Sequence, residues 1–332
     1  MRVFLTGGTG FIGQPLTRAL LKRGWEVTAL VRHPESAEAK ALQAAGAKLA
    51  PGDVTERESM RTAMAGVDLV FHNAGWYELG VVGQAREKMR VINVLGTENT
   101  LGLAVELHIP KIVYTSSTTA FGDTGGVVVD ESFQRSSPCL TVYEQTKTEA
   151  HAIARRYQQQ GAPIVIVCPA QVIGPGDHSP YGWFARLYVR GWLPPAVWAP
   201  DAVFTMGHLD DVTEAMALAA DKGQPGQTYF LGGTVITMRD MIKTWSRTPG
   251  GFKPFLWMPR PLALLSGALS EPLLRLLGLP AFLSREVIRS SYVSFRYSSA
   301  KAERELGAKF RSAEQAWLDT LAAERTKLKN RD

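Results

Sequence analysis

Tyr143 and Lys147 stand four residues apart in TVYEQTKTEAHAIARRYQQQG, a helical pattern over 142–160 that stops at Gly161. That spacing puts a phenol and an ammonium on one helix face. An ammonium beside a phenol favours the phenolate and lowers its pKa from about 10, which suits the phenol to acid/base work nearer neutral pH. In VYTSSTTAFG, Ser117 closes an apolar, strand-like run. Its hydroxyl is then placed to bond a substrate oxygen next to Tyr143. A Tyr-x-x-x-Lys pair alone is common by chance, so its meaning depends on what accompanies it.

What accompanies it is MRVFLTGGTGFIG, four glycines between Thr6 and Gly13 directly behind the first apolar run. Glycine is costly to immobilise, and a cluster between a strand and a helix marks a place where something approaches the backbone closely. In a dinucleotide fold that something is a pyrophosphate at the helix N-terminus. The segment fits Gly8-x-Gly10-x-x-Gly13 and Gly7-x-x-Gly10-x-x-Gly13 equally well, and either reading places Phe11 and Ile12 in the turn.

The second strand ends in ALVRHPES, with Arg32 where an NAD-binding chain carries an acid for the ribose hydroxyl. A guanidinium pairs bidentately with a 2′-phosphate, so NADP(H) is expected, with NAD(H) as the alternative if Glu35 is the ribose ligand. Asp53, with the Val54 amide beside it, follows the third strand, either as an acceptor for an adenine amino group or as a plain turn residue. Asn73 and Ala74, in FHNAGWYE, end the fourth strand with small residues that leave room for a cofactor.

These positions require strands and helices in alternation. Strand-like runs at 3–6, 25–31, 47–50, 68–72, 111–116 and 164–168 are separated by helical patterns at 11–23, 36–45, 56–64, 87–107 and 142–160. Runs of buried apolar residues between amphipathic helices predict an α/β fold: a Rossmann-type, doubly wound parallel sheet covered on both faces. After Pro169 the chain becomes rich in Gly, Pro and Trp. We expect residues 1–173 to form the dinucleotide-binding domain, with 203–234 returning to it, and 174–202 with 235–332 to form a smaller, interleaved substrate domain over the carboxyl ends of the strands.

Composition excludes several classes. With 45% hydrophobic and 20% charged residues in 332, this is an ordinary globular chain. The net charge of +6 owes four cations to Arg325, Lys327, Lys329 and Arg331, a solvated tail rather than a nucleic-acid footprint. Cys139 and Cys168 are too far apart for a disulfide framework or a metal cluster, and both are expected to be buried thiols. The most apolar stretch, 259–283, is broken by Glu271, Arg275, Pro261, Pro272 and Pro280, so no membrane span is expected. A strand starting at Met1 or Arg2 leaves no room for a secretory signal, and a cytoplasmic location is the expectation.

Taken together, TGGTGFIG, GDV at 52–54, VINVLGTENTL, YTSS, Tyr143-x-x-x-Lys147, PAQVIGPGD, HLDDV and SSAKAERELG resemble the extended short-chain dehydrogenase/reductase family, in its NAD-dependent epimerase/dehydratase group. The style is that of the dihydroflavonol-4-reductase-like and 3β-hydroxysteroid-dehydrogenase-like branch, over nearly the whole chain. The resemblance implies Tyr143 as proton donor or acceptor, Lys147 as holder of the nicotinamide ribose, Ser117 as the group orienting the reacting oxygen, and Asn93 as an ordering residue. It also implies that Pro169 to Val172 back the nicotinamide and that Thr119 adds a hydroxyl near the substrate. Cys168 departs from the polar or basic residue many relatives carry there.

An NADP(H)-dependent reductase acting between a secondary alcohol and a ketone is the leading expectation. A nucleotide-sugar epimerase or dehydratase uses the same residues, but a dehydratase needs a carboxylate beside Thr119, and SSTTAF has none. A non-catalytic NADP(H)-binding regulator is the third reading; such proteins can lose Tyr or Lys, and both are kept here. Aromatic residues Tyr181, Trp183, Phe184, Tyr188, Trp192, Trp198, Phe204, Phe255 and Trp257, with the leucines of 262–279, predict an apolar small-molecule site in which Trp183 is a substrate contact. Arg186 and Arg190 are the main nearby cations for a diphosphate. No nucleic-acid partner is expected, and a homodimer is compatible with the sequence.

Overall fold

In a computed structural model of the chain, residues 1–249, 254–277 and 283–329 are described; Leu279, Pro280 and Arg331 lie outside them. The first half runs β1 (Arg2–Thr6), α1 (Gly13–Lys22), β2 (Glu26–Val31), α2 (Ala37–Ala44), β3 (Lys48–Pro51), α3 (Arg61–Met64), β4 (Leu69–His72), α4 (Gln84–Arg90), α5 (Gly96–Glu106), β5 (Ile112–Thr115), α6 (Val142–Gln159) and β6 (Ile164–Pro169). The second half runs β7 (Gln171–Ile173), α7 (Pro180–Val189), β8 (Ala196–Trp198), β9 (Val203–His208), α8 (Leu209–Lys222), β10 (Thr228–Leu231), β11 (Val235–Thr237), α9 (Met238–Trp245), β12 (Leu256–Met258), α10 (Arg260–Leu276), α11 (Arg285–Ser290), α12 (Ala300–Leu306) and α13 (Ala313–Lys329).

Seven strands pair in the order β10-β6-β5-β4-β1-β2-β3, all parallel. The strands are continuous runs of buried Val, Ile, Leu and Phe because both faces are covered, as a doubly wound sheet requires. One apolar layer packs under α1 and α8, the other under α5 and α6. The strand order reverses between β1 and β4, which opens a crevice at their carboxyl ends. Thr6, Asn73, Ser117 and Pro169 all sit on that edge, at or just past the ends of β1, β4, β5 and β6.

Beyond β6 the chain alternates between this sheet and a third apolar cluster. β10 extends the main sheet, α8 packs on α1, and β9 pairs with β7 and β11 in a three-stranded side sheet. The third cluster gathers α7, α9 and α13 around Trp245 and Trp317, whose rings meet edge to face at 4.9 Å.

Several expectations change here. The 87–107 pattern is one helical run interrupted by a π-turn over residues 91–95, a widened turn that periodicity passes through unmarked. The basic C-terminal residues are no free tail: α13 carries Arg325, Lys327 and Lys329, and its inner face, with Ala316, Trp317 and Leu321, is buried. Cys139 is exposed on the loop before α6, whereas Cys168 is buried in the sheet. No described helix is long and apolar enough to cross a membrane.

Candidate active site

The glycine turn resolves into Gly7, Gly10 and Gly13. Gly7 has φ +72°, and a Cβ there would lie 2.6 Å from the Ala74 amide nitrogen. A Cβ on Gly13 would sit 1.9 Å from the Gly7 carbonyl oxygen. Both positions therefore exclude a side chain: one lets β1 and β4 leave the sheet together, the other lets α1 start against the turn. Gly8 instead faces Leu5, Leu42 and Thr17 in the interior, so the Gly7-x-x-Gly10-x-x-Gly13 reading is the one the fold uses. The first turn of α1 aims its amides at the crevice, and Phe11 and Ile12 line it. This cradle fits a dinucleotide pyrophosphate.

Thr6 fixes the fork at the end of β1. Its Oγ1 accepts from the Asn73 and Ala74 amides at 3.2 and 3.1 Å and bonds His72 Nδ1 at 2.8 Å. The other His72 nitrogen reaches Thr97 Oγ1 at 3.1 Å. Full burial, and secondarily the Lys147 charge, push His72 down to about 3, so it is neutral near pH 7. The unfolded chain therefore takes up a proton below about pH 6.5 that the folded chain refuses until near pH 3. The stability carried by neutral His72 is complete above pH 6.5 and is lost as pH falls through this window, by about 1.4 kcal/mol per pH unit. Urea denaturation of a His72→Gln variant between pH 6.5 and 4 should show a dependence flatter by about that slope.

Tyr143 and Lys147 share one face of α6, as their spacing predicts. The Lys147 ammonium donates to the Thr115 carbonyl at 2.9 Å and lies 5.3 Å from the Tyr114 ring. Burial lowers it to about 8. Tyr143, with its ring edge-on to Tyr77 at 4.7 Å, departs from expectation. Burial pushes its phenol up to about 12, and only the Ser117 hydroxyl works in the other direction. Desolvation thus dominates at Tyr143, while one of the three N–H groups of Lys147 donates to a carbonyl and two are left for other partners.

Ser117 caps a short 3-10 turn, its Oγ accepting from the Thr119 amide at 3.2 Å and the Thr119 hydroxyl at 2.9 Å. With both acceptor sites used, its own O–H is left to donate. Asn93, at the centre of the π-turn, takes the Trp76 amide at 2.7 Å and donates to the Trp76 carbonyl and Thr146 Oγ1, each at 3.0 Å. It ties the exit of β4 to the helix that carries Tyr143.

An ion pair the sequence did not mark supports the same helix. Arg135 bonds Glu144 at 2.7 Å and the Thr119 carbonyl at 3.0 Å, while Glu144 accepts from the Leu140 amide at 2.6 Å. The two side chains are only 14% and 9% exposed. Removing either would strand a largely buried charge, at a cost of about 3–5 kcal/mol.

Gly7, Gly10, Phe11, Ile12, Gly13, Ser117, Thr119, Tyr143 and Lys147, with Arg32, Asp53, Val54, Asn73, Ala74, Pro169 and Val172, line one cavity of about 1060 Å³, whereas Thr6, His72, Asn93 and Arg135 do not line it and act on it through the residues they hold. Arg32 is exposed at the rim and forms no ion pair among the described residues, whereas Glu35 pairs with Lys40 at 3.0 Å and lies outside the lining. Asp53 closes its own turn, Oδ1 accepting from the Thr55 amide at 2.8 Å and hydroxyl at 2.9 Å.

Beyond Tyr143 the wall is apolar: Tyr181, Phe184, Trp198, Phe204, Met241 and Phe295. Asp177 is the one carboxylate among the described lining residues there; burial raises it to about 6 against the two bonds it accepts from Ser179. Trp183 is not in this wall. It shares the outer face of α7 with Arg186 and Arg190, and Arg186 stacks on its ring at 5.0 Å. Neither arginine reaches the main cavity. Tyr188 is core, donating to the Trp245 carbonyl, and Phe255 and Trp257 do not line the cavity. The leucines of α10 are also misplaced in the sequence reading: Leu262, Leu265, Leu269, Leu273 and Leu276 face outward. Cys168 is buried among sheet residues, away from the cavity lining.

Comparison with known proteins agrees with this architecture. The model of the NAD dependent epimerase/dehydratase family matches residues 3–232. A Synechocystis sp. protein provisionally named dihydroflavonol 4-reductase is 33% identical, over 96% of this chain and 93% of its own length. A Stigmatella aurantiaca protein named 4-hydroxy-2-methyl-3-oxo-4-farnesyl-3,4-dihydroquinoline-1-oxide ketoreductase is 30% identical, over 97% and 96%. The crystal structure of gox2253 superposes with a TM-score of 0.80 at 31% identity, covering 98% of each chain.

Proposed function

The chain belongs to the NAD dependent epimerase/dehydratase family and is an NAD(P)-dependent oxidoreductase of the extended short-chain type; from that premise we propose that it uses NADP(H) to interconvert an apolar ketone and its secondary alcohol. The observation that carries this reading is the division of the cavity. One end has a glycine cradle and a rim arginine, the middle has Ser117, Tyr143 and Lys147, and the far end is apolar with no arginine among its described lining residues. A nucleoside diphosphate sugar would need cations converging there. The ketoreductase relative is named for a farnesyl-bearing ketone, which supports the same direction. Residues 174–202 and 235–332 supply much of this apolar wall, and we take them as the substrate-binding part, with 1–173 and part of 203–234 as the cofactor-binding part.

When bound, the cofactor supplies or takes the hydride. Gly7, Gly10 and Gly13 would receive its pyrophosphate, Arg32 its 2′-phosphate, and Pro169 and Val172 would back the nicotinamide. With its pKa pushed up to about 12, Tyr143 holds its proton at neutral pH and is ready to donate it to the carbonyl oxygen. Ser117 donates a second hydrogen bond to that oxygen and stabilises the developing charge. Lys147, charged below about pH 8, holds the ribose hydroxyls and supports the phenolate left behind. Ketone reduction should therefore fall as pH rises through about 8, a limb measurable as kcat/KM against pH and absent from the residual rate of Lys147→Met.

Thermal-shift titration separates the substrate classes. Aromatic, steroid-like or long-chain ketones should raise the melting temperature in the presence of NADP⁺, and UDP- and dTDP-sugars should not. A shift with a nucleotide sugar and none with any apolar ketone would assign the site to an epimerase instead.

A further inference from the structure

The loop that leaves β4 carries Trp76, Tyr77 and Leu79 along the cavity before it turns at Gly80. Its near end is anchored from its own half of the chain, because Asn93 holds both the amide and the carbonyl of Trp76. Its far end is held from the other half. The Gly80 amide donates to Glu286 on α11 at 3.1 Å, and the Gly80 carbonyl accepts from Arg275 on α10. These partners are 206 and 195 residues away in sequence. Among the described residues no backbone group bonds the Gly80 peptide, which is buried with φ +73°. A buried peptide must pair both its polar groups, and here α10 and α11 supply the partners.

The same two helices wall the substrate end of the cavity. Val287 and Ser290 of α11 line it, as does Ser266 of α10, and Glu271 one turn before Arg275 aligns that guanidinium at 2.7 Å. Between the two anchors of the loop lies Tyr77, whose ring meets the Tyr143 ring edge to face at 4.7 Å. Tyr77 is 39% exposed, yet burial raises its phenol well above the usual range, so its open surface faces the cavity rather than bulk water.

We propose that Arg275 and Glu286 are positioning residues for the reduction: by pinning Gly80 they seat the Tyr77 ring against Tyr143 and hold the proton donor in line with the substrate carbonyl. A donor misplaced by about 1 Å costs up to about a hundredfold in rate, so a contact far from the reacting atoms can still govern turnover. The pinning follows from the contacts alone; its effect on turnover rests on the proposed reaction.

Substitution cycles with NADPH and an apolar ketone test this. Glu286→Ala and Arg275→Met should each lower kcat/KM about tenfold and leave NADPH affinity within about twofold, because the glycine cradle is untouched. Glu286→Gln and Arg275→Lys still accept and donate at Gly80, and should restore most of the rate. Tyr77→Ala should also cost about tenfold, and Tyr77→Ala/Glu286→Ala no more than either change alone, since both break one chain of contacts. Losses that multiply to about a hundredfold in the double variant, or normal kcat/KM in Glu286→Ala and Arg275→Met, would overturn the proposal. If the unmodified protein reduces no ketone, the proposed reaction fails and hydrogen exchange decides the pinning. Amides of residues 76–82 should then exchange about tenfold faster in Glu286→Ala and Arg275→Met than in the unmodified protein, and unchanged protection would overturn the proposal. Should Glu286→Ala not fold, Arg275→Met and Tyr77→Ala/Arg275→Met carry the same cycle, because Arg275 is the more exposed partner.

Discussion

Tyr143→Phe should lower kcat for ketone reduction about a thousandfold while leaving NADPH affinity within about twofold, the magnitude expected when a general acid is removed and the ring stays. The phenyl ring keeps the edge contact with Tyr77, and α6 keeps its cap from Thr141 and its brace from Arg135 to Glu144. Only the hydroxyl that faces Ser117 is lost. Single-turnover rates and fluorescence titration of NADPH separate the two effects. Near-normal turnover would mean that another group delivers the proton, and the Tyr77 phenol would be the first to replace.

The second large effect concerns the cofactor. Arg32→Asp should weaken NADPH binding about a hundredfold and leave NADH unchanged or improved, reversing the preference of the unmodified protein. A charge-assisted pair with a phosphate contributes about 1.5–3 kcal/mol, and the introduced carboxylate adds repulsion to that loss. Arg32 stands in the cavity rim without an ion-pair partner among the described residues, and Glu35 is turned away toward Lys40. Equal affinities for NADPH and NADH in the unmodified protein, by the same titration, would contradict it.

Much of this site is written in short-range pattern. The Tyr143 and Lys147 pair follows from helical spacing, and the cradle follows from glycines between a strand and a helix, because both depend on neighbours within a few residues. The choice between Gly7 and Gly8 does not, since it is made by Ala74 arriving from a strand 66 to 68 residues away. Asn93 is legible through the resemblance, but its π-turn is not, because apolar periodicity continues through the widened turn.

The errors have the same origin. Composition places Trp183 and the α10 leucines in the cavity, but composition does not say which face of a helix meets a partner. On α7, Tyr181 and Phe184 turn in and Trp183 turns out. The raised Tyr143 phenol is not legible in the sequence because spacing reports a neighbouring ammonium and not the desolvation around both groups. The Arg135 to Glu144 pair joins a loop to a helix by a contact that neither segment's pattern announces.

The most direct test is isotope transfer: the protein is incubated with an apolar ketone and NADPH deuterated at the transferring C4 position, and the product alcohol is analysed by mass spectrometry. One deuterium on the carbinol carbon, in stoichiometry with NADPH consumed, is the expected result. Absence of alcohol across the whole panel of apolar ketones, or interconversion of a nucleotide sugar with no net consumption of NADPH, would contradict it.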